Sequence, residues 1–196
     1  MSHREELKSL LRQRSLVRGA IVLSSGKTSD YYLDCKLTTL HPRGSWLTGS
    51  AILEALDDHH VQAQAIGGMS MGADPIVSAV TVVSEIEKRP LPGFLIRKEA
   101  KKHGRKKQIE GLEPGFKDVV IVDEVCTTGA ATQEAIVAAE AEGHRVVAVV
   151  SLVDREEGGS AMLRANYNYF AVFTAAELLD EGESRGDARD AKTATR

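Results

Sequence analysis

The chain predicts an α/β fold with a mainly parallel central sheet flanked by helices. Short β-branched runs alternate with longer stretches of helical period, as in a sheet with both faces covered. The clearest run, Val-Val-Ile-Val at 119–122, has the length and composition of a buried strand. The alanine-rich stretch 131–142 that follows it stops at Gly143, as a helix with a glycine cap does. Glycines or charged residues also follow directly after Ile66, Ile96, Val122 and Val153. In a parallel sheet those strand ends share one edge, so distant segments converge there.

The whole chain bounds the reading. Its 196 residues fit one domain with a filled core, and no internal repeat is evident. A hydrophobic share of 42% and a net charge of -3 imply an ordinary globular protein with no general affinity for nucleic acid. The polar start, Met-Ser-His-Arg-Glu-Glu, does not read as a secretory signal. No apolar run approaches the roughly 18 residues that span a bilayer, so no membrane partner is expected. Cys35 and Cys126 lie far apart without metal-ligand spacing. A cytoplasmic, reduced protein is the expectation.

In chain order, residues 5–14 carry Leu7, Leu10 and Leu11 at helical spacing and predict an amphipathic helix. Residues 20–36 hold two apolar runs around a polar turn at 24–30, a hairpin pattern. Gly26-Lys27-Thr28 invites a nucleotide-binding reading, but Ile21 stands where that pattern needs its first glycine. A helix is predicted over 46–56 and a strand over 63–66, which runs into Gly67-Gly68 and on to Pro75. Pro75 suits the first turn of a helix over 76–86. After a strand at Gly93–Ile96, seven of the eleven residues 97–107 are Arg or Lys. Self-repulsion should keep that run mobile until an anion arrives. Strands over 146–153 and 169–174 complete the sheet, and Asp180 begins a charged, frayed tail.

The chemistry concentrates at 119–132. The first N–H groups of a helix have no partners of their own, so the turn before residue 131 suits a phosphate. Thr127, Thr128 and Thr132 add hydroxyl donors, and Gly129 permits close backbone approach. Asp123 and Glu124 would repel phosphate and suit sugar hydroxyls or a metal-associated ligand. The ligand reads as a sugar phosphate.

This stretch, an apolar strand followed by Asp123-Glu124 and Thr127-Thr128-Gly129, resembles the signature with which type I phosphoribosyltransferases bind 5-phosphoribosyl 1-diphosphate (PRPP). The hairpin Ser25-Gly26 … Ser29 … Tyr31-Tyr32 and the run Arg97-Lys98 … Lys101 … His103-Gly104 narrow the resemblance to the orotate phosphoribosyltransferases. It covers about residues 1–175, with a small N-terminal hood at about 1–40 and the tail at 176–196. It implies transfer of ribose 5-phosphate from PRPP to orotate, for UMP synthesis. The match assigns Arg97, Lys98, Lys101 and His103 to the diphosphate, with Lys98 reaching a neighbouring subunit in a homodimer. Asp123 and Glu124 would hold the ribose, and Val125, Cys126, Thr127, Thr128, Gly129, Ala130 and Ala131 would line the phosphate. Catalysis would rest on Lys101, His103, Asp123 and Glu124. Orotate would meet Thr127, Arg155, Tyr32 and Leu33, while Ser70 and Met71 would border the diphosphate. Mg2+ is implied, bound mainly through the diphosphate and ribose hydroxyls of PRPP rather than by protein ligands. Many family members carry a lysine just before the hairpin Ser-Gly; here Ser24 stands there, with Lys27 shifted along the turn. The rival readings are another purine or pyrimidine phosphoribosyltransferase, or a non-catalytic sensor of PRPP.

Overall fold

The structure is a computed structural model that describes residues 2–22, 28–99 and 108–180. Ser2 Oγ accepts the Glu5 N–H at 3.2 Å and starts α1 (His3–Arg14), whose Leu7 and Leu11 are buried. The hairpin forms as β1 (Leu16–Val22) and β2 (Thr28–Leu33), an antiparallel pair separate from the main sheet. Its turn, with Ser24 and Lys27, lies outside the described residues. A short α2 (Lys36–Thr39) leads to α3 (Pro42–Asp58), which starts four residues before the apolar periodicity, at Pro42 in its first turn.

The alternating units follow: β3 (Ala65–Met69), α4 (Asp74–Ile86), β4 (Gly93–Ile96), β5 (Ile109–Glu110), β6 (Asp118–Cys126), α5 (Ala130–Ala141), β7 (Arg145–Asp154), α6 (Gly159–Asn166), β8 (Tyr169–Thr174) and α7 (Ala175–Leu179). They build a six-stranded sheet in the order β5-β4-β3-β6-β7-β8. Only the edge pair β4–β5 is antiparallel among these neighbours. The expected α/β fold with a mainly parallel sheet is what the chain forms.

Strand alternation divides the core into two layers. Val120 and Val122 face a cluster with Leu7 of α1, Ile52 of α3 and Ile76 of α4. Val119 and Ile121 face the other layer, with Ile136 of α5 and Leu163 of α6. From β3 the chain steps to β4 on one side, whereas β6, β7 and β8 step away on the other. The order reverses between β3 and β6, and a crevice opens where strand order reverses in this way.

The differences from the sequence reading have local causes. Strand β6 does not stop at Val122, because pairing with β7 continues through Asp123↔Ser151, Val125↔Val153 and Cys126↔Asp154. The carboxylates therefore sit on the strand and not in the loop. Packed structure also continues past the boundary expected at 175. Thr174 and Glu177 form a capping box for α7. Arg4 pairs with Glu177 at 2.6 Å, and Arg12 donates to Leu178 O at 3.0 Å. The rest of the expected tail, 181–196, lies outside the described residues. Among the described residues, no helix is long and apolar enough to cross a membrane.

Candidate functional site

Four strand ends meet at the crevice, and β6 carries the charge. Asp123 Oδ2 accepts the Thr132 hydroxyl at 2.5 Å, and Oδ1 accepts the Glu124 N–H at 2.8 Å. Burial pushes the Asp123 carboxyl above its ordinary range, against the effect of these donors. Glu124 is also raised by burial, although Lys36 pulls the other way. Its Oε2 accepts from Lys36 Nζ at 2.6 Å, while Oε1 is buried without a hydrogen-bond partner among the described residues. For Lys36, burial favours the neutral amine, but the hydrogen bond and charge of Glu124 outweigh it, and the ammonium is held more tightly than usual.

The phosphate-type turn is built as its residue types demand. Gly129 caps α5 at φ 75° and supplies no side-chain cap, so the first N–H groups of the helix face outward with its positive dipole end. Ala130 N–H lies 3.4 Å from Thr128 Oγ. Thr127 is half-buried and Thr128 exposed, and the Thr127 carbonyl accepts the Gly159 N–H at 3.1 Å. A Cβ at Gly159 would come within 2.4 Å of both Gly129 N and Thr128 C. The start of α6 is thus pressed against the turn, a fit that requires glycine.

Arg155 leaves β7 beside this turn, its N–H donating to Cys126 O at 2.9 Å. Its side chain is only 9% exposed and pairs with Glu157 at 2.8 Å. The guanidinium stacks over Tyr31, 4.6 Å from the ring centroid, and reaches Ser29 Oγ at 3.5 Å. Of the aromatic pair, Tyr31 therefore faces Arg155. Tyr32 is 44% exposed, and the Leu33 side chain is part of the core. The preceding Asp154 is fully buried, paired with Arg164 at 3.0 Å and accepting Glu156 N–H at 2.8 Å. These contacts pin the turn that aims Arg155.

Beyond β3, Ser70 Oγ donates to Asp74 at 2.8 Å, Met71 is exposed, and the Ser70–Met71 peptide is cis. Beyond β4, Arg97 pairs with Glu110 at 2.9 Å. An open groove of about 680 Å³ runs along Ser70, Arg97, Lys98 and Glu110. Lys101 and His103 lie outside the described residues. Cys126 is buried, and burial pushes its thiol up, with the Tyr169 hydroxyl beside it. Among the described residues, no group of three or more His, Cys, Asp or Glu is arranged to hold a metal.

Sequence reasoning missed Lys36, Tyr31 and Gly159. For Tyr31 a signal existed, since alternation along β2 puts residues 31 and 33 on the face toward the sheet. Lys36 and Gly159 carried no local pattern, because each acts on a segment distant in sequence.

No family model matches the chain. An orotate phosphoribosyltransferase of Nostoc sp. is 43% identical over 187 residues, covering 94% of this chain and 89% of its own length. That of Aquifex aeolicus is 39% identical, covering 91% and 99%. Among solved structures, Mycobacterium tuberculosis orotate phosphoribosyltransferase in complex with Fe(III) dicitrate superposes with a TM-score of 0.80 at 36% identity, over 91% of this chain and 100% of that one. The same enzyme in complex with PRPP gives 0.75 at 34% identity, over 90% and 99%.

Proposed function

The chain belongs to the orotate phosphoribosyltransferase family and is a pentosyltransferase of pyrimidine biosynthesis, and we propose that the residues gathered at the carboxyl edge of its sheet carry out the transfer. The orotate ring nitrogen attacks the anomeric carbon of PRPP as the bond to diphosphate breaks, giving orotidine 5′-phosphate and diphosphate with inversion. One observation carries the assignment of roles. Asp123 and Glu124 stand side by side on β6 at the reversal of strand order, just ahead of the α5 N-terminus.

Each end of PRPP meets complementary chemistry. The 5-phosphate takes the N–H groups of Ala130 and Ala131 and the hydroxyls of Thr127 and Thr128, with Val125 and the backbone of buried Cys126 leading up to it. Asp123 and Glu124 take the ribose hydroxyls, and their charge favours the cationic ring that develops as the diphosphate departs. Arg97 and Lys98 reach the diphosphate, helped by Lys101 and His103 from the basic run. Arg155, stacked on Tyr31, grips the orotate carboxylate, and Thr127, Tyr32 and Leu33 complete the base side, Leu33 through its backbone.

Mg2+ takes oxygen ligands and is commonly held through one or two carboxylates plus substrate phosphates. The site fits such an ion, since Asp123 and Glu124 are adjacent carboxylates and, among the described residues, Glu124 Oε1 has no donor. PRPP's own oxygens would hold it, with these carboxylates beside them, and when bound it neutralises diphosphate charge. We place the protein in the cytoplasm, with small molecules as its substrates and no nucleic acid or membrane among its partners. Diphosphate release from PRPP, measured with orotate, uracil, adenine and hypoxanthine, tests the reading. Orotate alone should support release, and equal use of uracil would reject the orotate assignment.

The working unit is a homodimer in which Lys98 serves the neighbouring site. Leu40 and Met71 border one hollow with Ser78 of α4, and exposed Val82 and Ile86 continue along that helix face. A second copy would cover this apolar band. Mixing inactive Lys98→Ala with inactive Asp123→Asn/Glu124→Gln should restore part of the activity, because each mixed dimer holds one site with both defects and one with neither. Confirmed subunit exchange without recovery would place Lys98 in its own chain's site.

A further inference from the structure

We infer that Lys36 is a positioning residue for the transfer: from α2 it fixes the orientation and charge of Glu124 and thereby sets the affinity of the site for PRPP. The inference rests on the reading that Glu124 meets the ribose.

The argument starts from the isolation of Glu124. The residue is only 8% exposed, and a carboxylate so buried needs a partner to remain charged. Among the described residues, Lys36 is the one hydrogen-bond donor to either of its side-chain oxygens, at 2.6 Å. The β3–α4 turn also closes in, since a Cβ at Gly72 would lie 3.3 Å from Oε2. Oε2 of the carboxylate is thus held by a cation and closely approached by a turn, while Oε1 is buried and, among the described residues, unpaired.

Lys36 is itself held in place. Asp34 Oδ1 accepts its backbone N–H at 3.1 Å and lies 3.5 Å from its ammonium. Two residues on, Thr38 shares a buried hydrogen bond of 2.7 Å with Ser15, at the end of α1. Cys35, just before, is fully buried in the core. A cation on such a footing has little freedom, and a carboxylate tied to it loses little further entropy on meeting a substrate. The Lys36 side chain remains 41% exposed and borders, with Met71 and Asp74, a hollow of about 390 Å³. It therefore touches both the ribose carboxylate and the hollow that the β3–α4 turn borders.

An ion pair with a merely structural role would make the same contacts, so kinetics must separate the two. Steady-state constants and melting temperatures are measured on the full chain for Lys36→Met, Lys36→Arg, Glu124→Gln and the Lys36→Met/Glu124→Gln double variant. Lys36→Met should raise KM for PRPP about tenfold, in line with loss of a charge-assisted pair, and leave KM for orotate near its wild-type value. Lys36→Arg should restore most of the affinity. In the Glu124→Gln background, Lys36→Met should add little, because its target is already gone. Full additivity of the two changes overturns the inference, as does equal weakening of both substrates with a lowered melting temperature. If Lys36→Met does not fold, Lys36→Gln is read in the same way. Should Glu124→Gln alone match the wild type toward PRPP, the ribose reading fails first and the inference falls with it.

Discussion

Replacing Asp123 with Asn and Glu124 with Gln together lowers kcat about a thousandfold, the loss expected when preorganised charge at a reacting centre is removed. The two substitutions keep the shape of the side chains and remove only charge and acceptor capacity. Asp123 is fixed by the Thr132 hydroxyl and the Glu124 N–H, and Glu124 by Lys36. Neither carboxylate must reorganise as the ring becomes cationic, and that is why the effect should fall on turnover. Steady-state assays with saturating orotate and PRPP measure it. A double variant with near wild-type turnover would remove both residues from the mechanism.

Arg155→Ala weakens orotate and spares PRPP. The Arg155 side chain is 9% exposed, so an anion that meets its guanidinium forms a charge-assisted pair away from bulk water. Losing such a pair costs about 1.5–3 kcal/mol, or about tenfold to a hundredfold in affinity. Its stack on Tyr31 and its bond to Glu157 hold the fork in one orientation, so lysine should rescue poorly. The check is KM for each substrate separately. Equal weakening of both would leave Arg155 a structural role only.

The sheet was legible because its signal is local. Gly93–Ile96 and Tyr169–Thr174 are apolar runs whose bounds the structure repeats. The signature was legible for the same reason, with strand, carboxylates and turn adjacent in sequence. What failed was length and distance. Helix α2 has four residues and β5 two, too few for a periodicity to appear. Helix α6 is eight residues long, opening at Gly159 after a second glycine, and composition alone reads that stretch as loop. The Lys36–Glu124 pair spans 88 positions, and no pattern in either segment points to the other. Tyr31 was a matter of face: in a strand one residue of register exchanges core for solvent.

Strand β6 also records a conflict between two kinds of selection. Selection for folding alone would continue the β-branched run that fills positions 119–122, since this strand has neighbours on both sides. Instead the next two positions carry acids that burial disfavours, one of them with an oxygen that finds no donor. Sites of this kind are where chemistry has overruled stability. The Asp123→Asn/Glu124→Gln protein should therefore melt no lower than the wild type despite its lost turnover. Lys36, left without its partner, can be hydrated because its side chain is 41% exposed. Efforts to make this enzyme hardier should accordingly work elsewhere, because at these two positions a gain in robustness would come at the expense of the reaction.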